Sequence, residues 1–104
     1  MANYFVTRHP GAIEWAAMKG LEAVQITHLD IAIINSGDVI MGTLPINIAA
    51  QIIEIGARYL HLELDLPEEN RGRDLSPDEM EQFGARLQEY HIVKIERGID
   101  EYKF

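Results

Sequence analysis

The fold is decided by the stretch Asp38-Val39-Ile40-Met41-Gly42-Thr43-Leu44-Pro45-Ile46-Asn47, in which a buried strand runs directly into a buried helix. The apolar run at 39–41 has the length of a strand, and Gly42 ends it without a bulky side chain. Pro45 fixes a helical φ at a helix start, where its missing amide hydrogen costs nothing. The helix predicted at 46–55 is apolar on nearly every side, so we expect its own sheet and a second subunit to cover it.

The composition of the 104 residues predicts a single globular domain over residues 1–104, with 47% apolar and 25% charged side chains. No apolar run is long enough to span a bilayer, and the first residues lack the basic-then-apolar order of a secretion signal. We therefore expect a cytoplasmic protein that contacts no membrane. The sequence has no cysteine, which excludes disulfides, thiol nucleophiles and thiolate metal sites.

The charge balance is strongly acidic, with 17 Asp and Glu residues against 9 Lys and Arg residues and a net charge of −8. Such a charge opposes non-specific binding to a nucleic-acid backbone, so long nucleic acid is not an expected partner. A small anion in a pocket is compatible with it, because a few arginines and a helix N-terminus make a locally positive site. Most of the acidic excess lies in the second half of the chain, where it is typical of a solvated face.

On either side of the central stretch, the spacing of apolar residues predicts further strands and helices. Strands are predicted at 3–7, 24–29, 58–66 and 91–96, helices at 12–19 and from 77 to about 90, and a helical turn at 30–34. This order favours an α/β fold, a small Rossmann-like, mostly parallel sheet with helices on both faces. Ligands of such sheets bind at the carboxyl ends of the strands, near the point where strand order reverses.

The third predicted helix has a strong start signal. Ser76 has the side chain of an N-cap, Pro77 suits the first helical position, and Glu79 is placed to close a capping box. Leu75 and Met80 have the spacing of a hydrophobic staple. We expect the residues after the last predicted strand, 97–104, to be loosely attached or packed across a partner.

Polar and basic residues follow the ends of several predicted strands, at the edge where a ligand is expected. They are Arg8, His9, Thr43, Asn47, Arg71 and Arg73. Arg8 and His9 precede a helix whose first amides have no partner within the helix. Two arginines in a loop, Arg71 and Arg73, are suited to bidentate binding of phosphate oxygens. Each position also has a structural explanation, as a surface ion pair, a turn, a helix cap or a solvated loop.

Other residues point away from several enzyme classes. His28, His61 and His91 lie in predicted strands, and we interpret them as structural or surface residues. Trp15 and Tyr4 are interpreted as core residues. No glycine-rich dinucleotide or nucleoside-triphosphate loop is present. No acid and histidine cluster has the spacing of metal ligands, so no metal or other cofactor is expected.

Three groups of residues, in this order and at these spacings, resemble a known family. They are Val6-Thr7-Arg8-His9-Pro10-Gly11-Ala12-Ile13-Glu14-Trp15, then Gly42-Thr43-Leu44-Pro45-Ile46-Asn47 with Ala49-Ala50, then His61-Leu62, Leu64-Asp65-Leu66-Pro67 and Arg71-Gly72-Arg73-Asp74-Leu75. Over about its first three quarters, the sequence is similar to small CRISPR-associated proteins of type III systems (VVA1548-like), proposed to act as stand-alone ring nucleases.

The resemblance implies a Rossmann-like domain that is CARF-like, that is, related to the ring-nucleotide sensor domains of the same systems. It further implies a homodimer whose ligand is a cyclic oligoadenylate, in particular the cyclic tetra-adenylate, bound across the two-fold axis. Cleavage of that ring would end the antiviral signal. A ring with two-fold symmetry suits an interface between identical surfaces.

We assign site residues by position and chemistry. Arg8 and His9 are the candidate catalytic residues, and Thr7, Gly42, Thr43, Asn47, Arg71 and Arg73 are the candidate substrate-binding residues. The hypothesised reaction is metal-independent: a ribose 2′-hydroxyl attacks the adjacent phosphorus and leaves a 2′,3′-cyclic phosphate. Two alternatives stay open, a sensor or sponge that holds the ring without cleaving it, and a structural subunit that docks onto other CRISPR proteins through its acidic face.

Overall fold

The computed structural model describes residues 1–97 and places five strands in one sheet. The strands are β1 (Asn3–Val6), β2 (Val24–Ile26), β3 (Val39–Gly42), β4 (Arg58–Glu63) and β5 (Arg86–Tyr90). The helices are α1 (Pro10–Met18), α2 (Ile46–Ile55) and α3 (Pro77–Gln82), with short 3-10 turns at Ile31–Ile33 and Glu68–Asn70. The expectation of a loosely attached or partner-bound tail falls mainly on residues 98–104, which lie outside the described residues.

The strand order in the sheet is β2-β1-β3-β4-β5. β1 pairs in parallel with β2 and with β3, β3 pairs in parallel with β4, and β5 runs antiparallel to β4. The predicted α/β fold with a mostly parallel sheet is therefore confirmed. The direction of strand addition reverses between β1 and β3, which is where ligands of such sheets bind. In residues 1–97, no helix has the length and apolar content needed to cross a membrane.

Helices cover both faces of the sheet, as predicted. On one face, α1 and α3 pack through Trp15 and Met80 against Phe5 and Met41 of the strands. On the other face, α2 packs against a second buried cluster, formed by Ile34, Ile40, Ala49, Ile52, Ala57 and Tyr59. Successive strand residues point to opposite faces, so β3 sends Ile40 into one cluster and Met41 into the other. Trp15 is a core residue, as the sequence analysis expected.

The start of α3 is also formed as predicted. The Ser76 hydroxyl accepts a hydrogen bond from the Glu79 amide, and the Glu79 carboxylate accepts one from the Ser76 amide, both at 3.1 Å. These reciprocal bonds are the expected capping box. Met80 is buried and Leu75 packs against the same core cluster, which is the apolar contact that the staple spacing predicts.

The end of α3 was predicted wrongly. The helix is six residues long and residues 86–90 form β5, whereas the sequence predicted a helix to about residue 90 and a strand at 91–96. Gly84 has a φ of 72°, the left-handed conformation in which glycine commonly ends helices. β5 is largely exposed and is joined to β4 by cross-strand ion pairs. Such an edge strand depends on its partner more than on its own apolar pattern.

Two other strands end earlier than predicted. β2 stops at Ile26 instead of residue 29, and β4 stops at Glu63 instead of residue 66. After β4 the alternation in polarity continues through Leu64-Asp65-Leu66, whereas after β2 it stops at Thr27-His28; in both cases the strand pairing ends first. The chain therefore leaves the sheet early and contributes loops to its carboxyl edge.

A buried carboxylate stands immediately before β3. Asp38 is 2% exposed, and its two oxygens accept hydrogen bonds from the backbone amides of Ala2 and Asn35, each at 2.9 Å. These bonds, above all the one from Ala2, hold the pKa of the Asp38 carboxyl below its usual value because they favour the charged form. They also tie the first residues of the chain to the centre of the sheet.

Replacing Asp38 by Asn is expected to remove part of the acid dependence of stability. A carboxyl whose pKa is lowered by folding stabilises the protein above its unfolded pKa, and this contribution is lost as the pH falls through the folded pKa. Between the ordinary value of 3.8 and the lower folded pKa, the free energy of unfolding should fall more steeply in the parent than in Asp38→Asn. Urea denaturation at a series of pH values measures both slopes. Glu14→Gln controls for the loss of a negative charge on the surface, and equal slopes for the parent and Asp38→Asn would contradict the assignment.

Candidate functional site

A groove of about 450 Å³ opens at the carboxyl edge of the sheet. It is formed by the residues that follow β1, β2 and β3, at the reversal of strand order. Its volume falls within the range of small-molecule sites, about 300–1,000 Å³. Its polar lining consists of Thr7, Arg8, His9, Thr27, His28 and Thr43. The groove lies where the sequence analysis expected a ligand.

The lining of this groove is positive in an otherwise acidic protein. Its chargeable side chains are Arg8, His9 and His28, and no Asp or Glu of residues 1–97 lines it. Arg8 is exposed and makes no ion pair or side-chain hydrogen bond with any other described residue. A guanidinium without an ion-pair partner can bind an anion without first breaking an ion pair to a carboxylate. Across the described part of the chain, no cluster of three acidic or histidine side chains is arranged to hold a metal ion.

Two helices begin at the groove without a side-chain cap. α1 starts after His9 and α2 starts after Pro45, and both of these capping residues line the groove. The first amides of a helix carry a positive partial charge and lack partners within the helix. Both helix starts therefore add to the preference of the groove for an anion.

Gly42 allows β3 and β1 to approach closely at the base of the groove. It pairs with Val6 in the parallel ladder, and its φ is 146°. A Cβ atom at this position would lie 2.5 Å from the Val6 carbonyl oxygen, too close for any side chain. Gly42, a predicted substrate-binding residue, therefore lines the groove, and its backbone conformation and close contact with Val6 also require glycine at this position.

A buried tyrosine holds the corner between β3 and α2. Tyr59 of β4 is 1% exposed, and its hydroxyl accepts a hydrogen bond from the Leu44 amide at 2.9 Å and donates one to the Gly42 carbonyl at 3.2 Å. The same oxygen lies 2.6 Å from Nδ1 of His61. Burial raises the pKa of Tyr59, which keeps the phenol neutral and able to donate. Tyr59 was not singled out from the sequence. A sheet covered on both faces buries successive residues of a strand, so a polar side chain on either face can serve a structural role.

Five of the eight predicted site residues line the groove. They are Thr7, Arg8, His9, Gly42 and Thr43. The Thr43 hydroxyl donates to the Leu62 carbonyl at 3.3 Å, and the Thr7 hydroxyl accepts from the His9 amide at 3.2 Å, so both threonines are held in place. Asn47 lies elsewhere, on the outer side of α2 beside Glu54 and Ile92. The structure therefore does not bring Asn47 together with Arg8 and His9.

The two loop arginines differ in their surroundings. Arg73 lines a second groove of about 200 Å³, which adjoins the first through His9 and Thr43. Its guanidinium is paired with Glu79, and this hydrogen bond lowers the pKa of the Glu79 carboxyl to about 2. Phosphate binding by Arg73 would compete with that pair. Arg71 is exposed, lines neither groove and has no ion pair within residues 1–97.

His28 is a groove residue that the sequence analysis interpreted as structural or surface-exposed. The strand predicted at 24–29 placed it within the sheet, but β2 ends before it and His28 lies in the loop at the carboxyl edge. A signal was present in the sequence, since Thr27-His28 follows a strand in the same way that Thr7-Arg8-His9 does.

These observations define a class of protein, an α/β domain with a mostly parallel sheet and a positively lined groove at the reversal of strand order. The chain belongs to the family described as "Putative CRISPR-associated protein (Cas_VVA1548)", whose model matches residues 4–93. The matched region contains every groove residue named above. The match confirms the family resemblance seen in the sequence. No curated protein and no solved structure that was compared with the chain matches it.

Tyr59→Phe is expected to lower the free energy of unfolding by about 1–3 kcal/mol, because the Leu44 amide and the Gly42 carbonyl lose a hydrogen-bond partner inside the protein. Urea denaturation measures the change. Tyr90→Phe is the matched control, since that exposed hydroxyl makes a hydrogen bond to Glu63 at the surface, and its loss should be smaller. Equal destabilisation in the two variants would contradict the role assigned to Tyr59.

Proposed function

We propose that this protein is a ring nuclease that degrades a cyclic oligoadenylate, in particular the cyclic tetra-adenylate, and thereby ends type III CRISPR antiviral signalling. The proposal rests on the surroundings of Arg8. This cation has no ion-pair partner among the described residues, and it lies in a groove that no described carboxylate lines. A cyclic oligoadenylate is an anion, and membership of a CRISPR-associated family supports the biological setting. The net charge of −8 favours a small anion held in a groove over a long nucleic acid.

The proposed reaction uses a nucleophile that the substrate supplies and needs no metal. The ribose 2′-oxygen forms a bond to phosphorus, the bond from phosphorus to the 5′-oxygen breaks, and the products carry a 2′,3′-cyclic phosphate and a 5′-hydroxyl. The protein must align these atoms and stabilise the charge that develops on the phosphoryl oxygens. Arg8 would supply that stabilisation, supported by the positive end of the α1 dipole; Pro10 has no amide hydrogen, and the Ala12 and Ile13 amides already donate to the His9 carbonyl. His9 would transfer a proton, since imidazole readily exchanges protons near neutral pH.

Substrate binding in this proposal falls first to Thr7, Gly42 and Thr43, which line the groove with Arg8. Their hydroxyl groups and backbone suit contacts to phosphate and ribose. A ring of several nucleotides would extend beyond one groove, and the adjoining groove leads towards Arg73. The roles of Asn47, Arg71 and Arg73 in binding stay predictions.

We also propose that two copies of the chain form a homodimer. Ile46 at the start of α2 is 72% exposed, and the neighbouring Val93 is 68% exposed. Exposed apolar side chains that lie together favour association with another surface. The outer side of α2 also carries Gln51 and Glu54, so the contact would centre on Ile46 and Val93 rather than on the whole helix that the sequence analysis expected to be covered. Two copies related by a two-fold axis would present two grooves to one ring.

Arg8→Ala and His9→Ala are each expected to slow cleavage of purified cyclic tetra-adenylate by about 10²–10⁴-fold. Both side chains are exposed, so the variants should stay folded. The assay separates substrate and products by chromatography, with a chelator present. Lys19→Ala is the matched control, because it removes a cation beyond the far end of α1, and it should keep the parent rate.

The results separate the competing functions. Cleavage by the parent that is lost in both variants supports the proposal. An unchanged ring that the parent binds would favour a non-cleaving sensor or sponge, and no affinity for the ring would favour a structural subunit. Parent rates in folded Arg8→Ala and His9→Ala would place the reaction outside this groove.

Ile46→Glu is expected to convert the dimer to a monomer, because a charge would be placed in the apolar contact. Light scattering coupled to size-exclusion chromatography measures the mass of each species. Val24→Glu is the control, since it replaces an exposed apolar residue on the edge strand β2, and it should leave the dimer intact. A parent that is monomeric at every concentration would contradict the dimer.

A further inference from the structure

Two neighbouring strands end in the same way at the groove. β1 runs into Thr7-Arg8-His9, and β2 runs into Thr27-His28. Val6 and Ile26 are register partners, and the Thr7 amide donates to the Ile26 carbonyl at 2.9 Å, so the pairing continues to the ends of the strands. The two segments that carry histidine therefore leave the sheet side by side.

Of the three histidines interpreted as structural or surface residues, the one that lines the groove is His28. It is exposed, lines the groove together with His9, and makes no hydrogen bond or ion pair with any residue in the described part of the chain. His61 is engaged by the hydroxyl of Tyr59 and lies edge-on to Tyr90. The groove thus holds two imidazoles from two different strand ends.

The ionisable groups around His28 are few. Arg8 and His9 face the groove from the corner after β1, and the corner after β3 contributes no ionisable side chain to its lining. Asp30 follows His28 closely in the chain, but its carboxylate accepts a hydrogen bond from the Ala32 amide at 3.0 Å and it does not line the groove. Within residues 1–97, no carboxylate lines the groove itself. In the adjoining groove, the Asp74 carboxylate lies 3.9 Å from Nδ1 of His9.

The proposed cleavage requires two proton transfers at opposite sides of the phosphorus. The attacking 2′-hydroxyl must lose a proton, and the departing 5′-oxygen must gain one. In an in-line displacement these two oxygens lie on opposite sides of the phosphorus, so one imidazole cannot contact both at once. His9 alone accounts for only one of the transfers.

We propose that His28 is the second proton-transfer residue, paired with His9 across the groove; this inference rests on the ring-nuclease function proposed above. One imidazole, neutral before the reaction, accepts the proton of the 2′-hydroxyl as the bond from the 2′-oxygen to phosphorus forms. The other, protonated before the reaction, donates its proton to the 5′-oxygen as its bond to phosphorus breaks. One proton is taken up and one is released, so the step needs no other reactant.

The test compares cleavage of cyclic tetra-adenylate by the parent, His28→Ala and His28→Gln across a range of pH. In the parent, kcat should depend on pH with an acidic and an alkaline limb. Both variants are expected to lower kcat by about 10²-fold or more, with KM changed much less, and to lose one of the two limbs. A substrate with sulfur in place of the bridging 5′-oxygen needs no proton donor, so recovery of its rate in His28→Ala would identify His28 as the donor.

His91→Ala is the matched control, because it removes an exposed histidine outside the groove, and it should keep the parent rate and both limbs. A parent kcat in His28→Ala, or a change confined to KM with both limbs retained, would overturn the role of His28 and leave the ring-nuclease function standing. A parent that does not cleave the ring would overturn both proposals. Circular dichroism of each variant excludes a loss of fold as the cause.

Discussion

The parallel pairing of β1 with β3 brings the ends of these two strands, and the candidate residues that follow them, to one edge of the sheet. The pairing is close at its carboxyl end, where any side chain on Gly42 would collide with the Val6 carbonyl. Because the chain crosses from β1 outward to β2 and then returns to β3, three corners meet at one edge of the sheet. The groove is the space that these corners leave between them.

The distribution of charge makes the groove suited to an anion. The protein is acidic, and most of its described cations are paired with carboxylates, as in the pairs of Arg58 with Glu89 and Arg86 with Asp65. Arg8 has no such partner among residues 1–97, and it lines the same groove as two helix starts, whose positive dipole ends also favour an anion. An anion can therefore find a positive site in a negative molecule without displacing an existing ion pair. The pair of Arg73 with Glu79 would have to open before Arg73 could take part.

Local patterns in the sequence predicted the centre of the fold well. The apolar run, glycine and proline around α2 gave its bounds, and the capping signals gave the start of α3, because both depend on residues close in the chain. The strand at the edge of the sheet was predicted wrongly, since β5 depends on partners in β4 rather than on its own burial. The early end of β2 was also missed, although the alternation stops at Thr27-His28, and the role of His28 in lining the groove was missed with it.

The sequence likewise predicted part of the candidate site. Residues that directly follow β1 and β3 meet because parallel strands end at one edge, so Arg8, His9 and Thr43 were found from position alone. Asn47 lies apart from these residues, because the rotation of the helix carries it to the outer side of α2. The partner of Arg73 lies six residues away in α3, a contact that only the folded loop reveals.

Both proposals depend on the binding of an adenylate phosphate at the edge between β1 and β3. A nuclear magnetic resonance titration of the backbone amides with adenosine 5′-monophosphate, one unit of the proposed ring, tests it without relying on cleavage. Shift changes are expected to concentrate at residues 7–9, 27–28 and 42–44. Changes concentrated at 71–73 or at 46–47 and 92–94, with the groove unaffected, would contradict it.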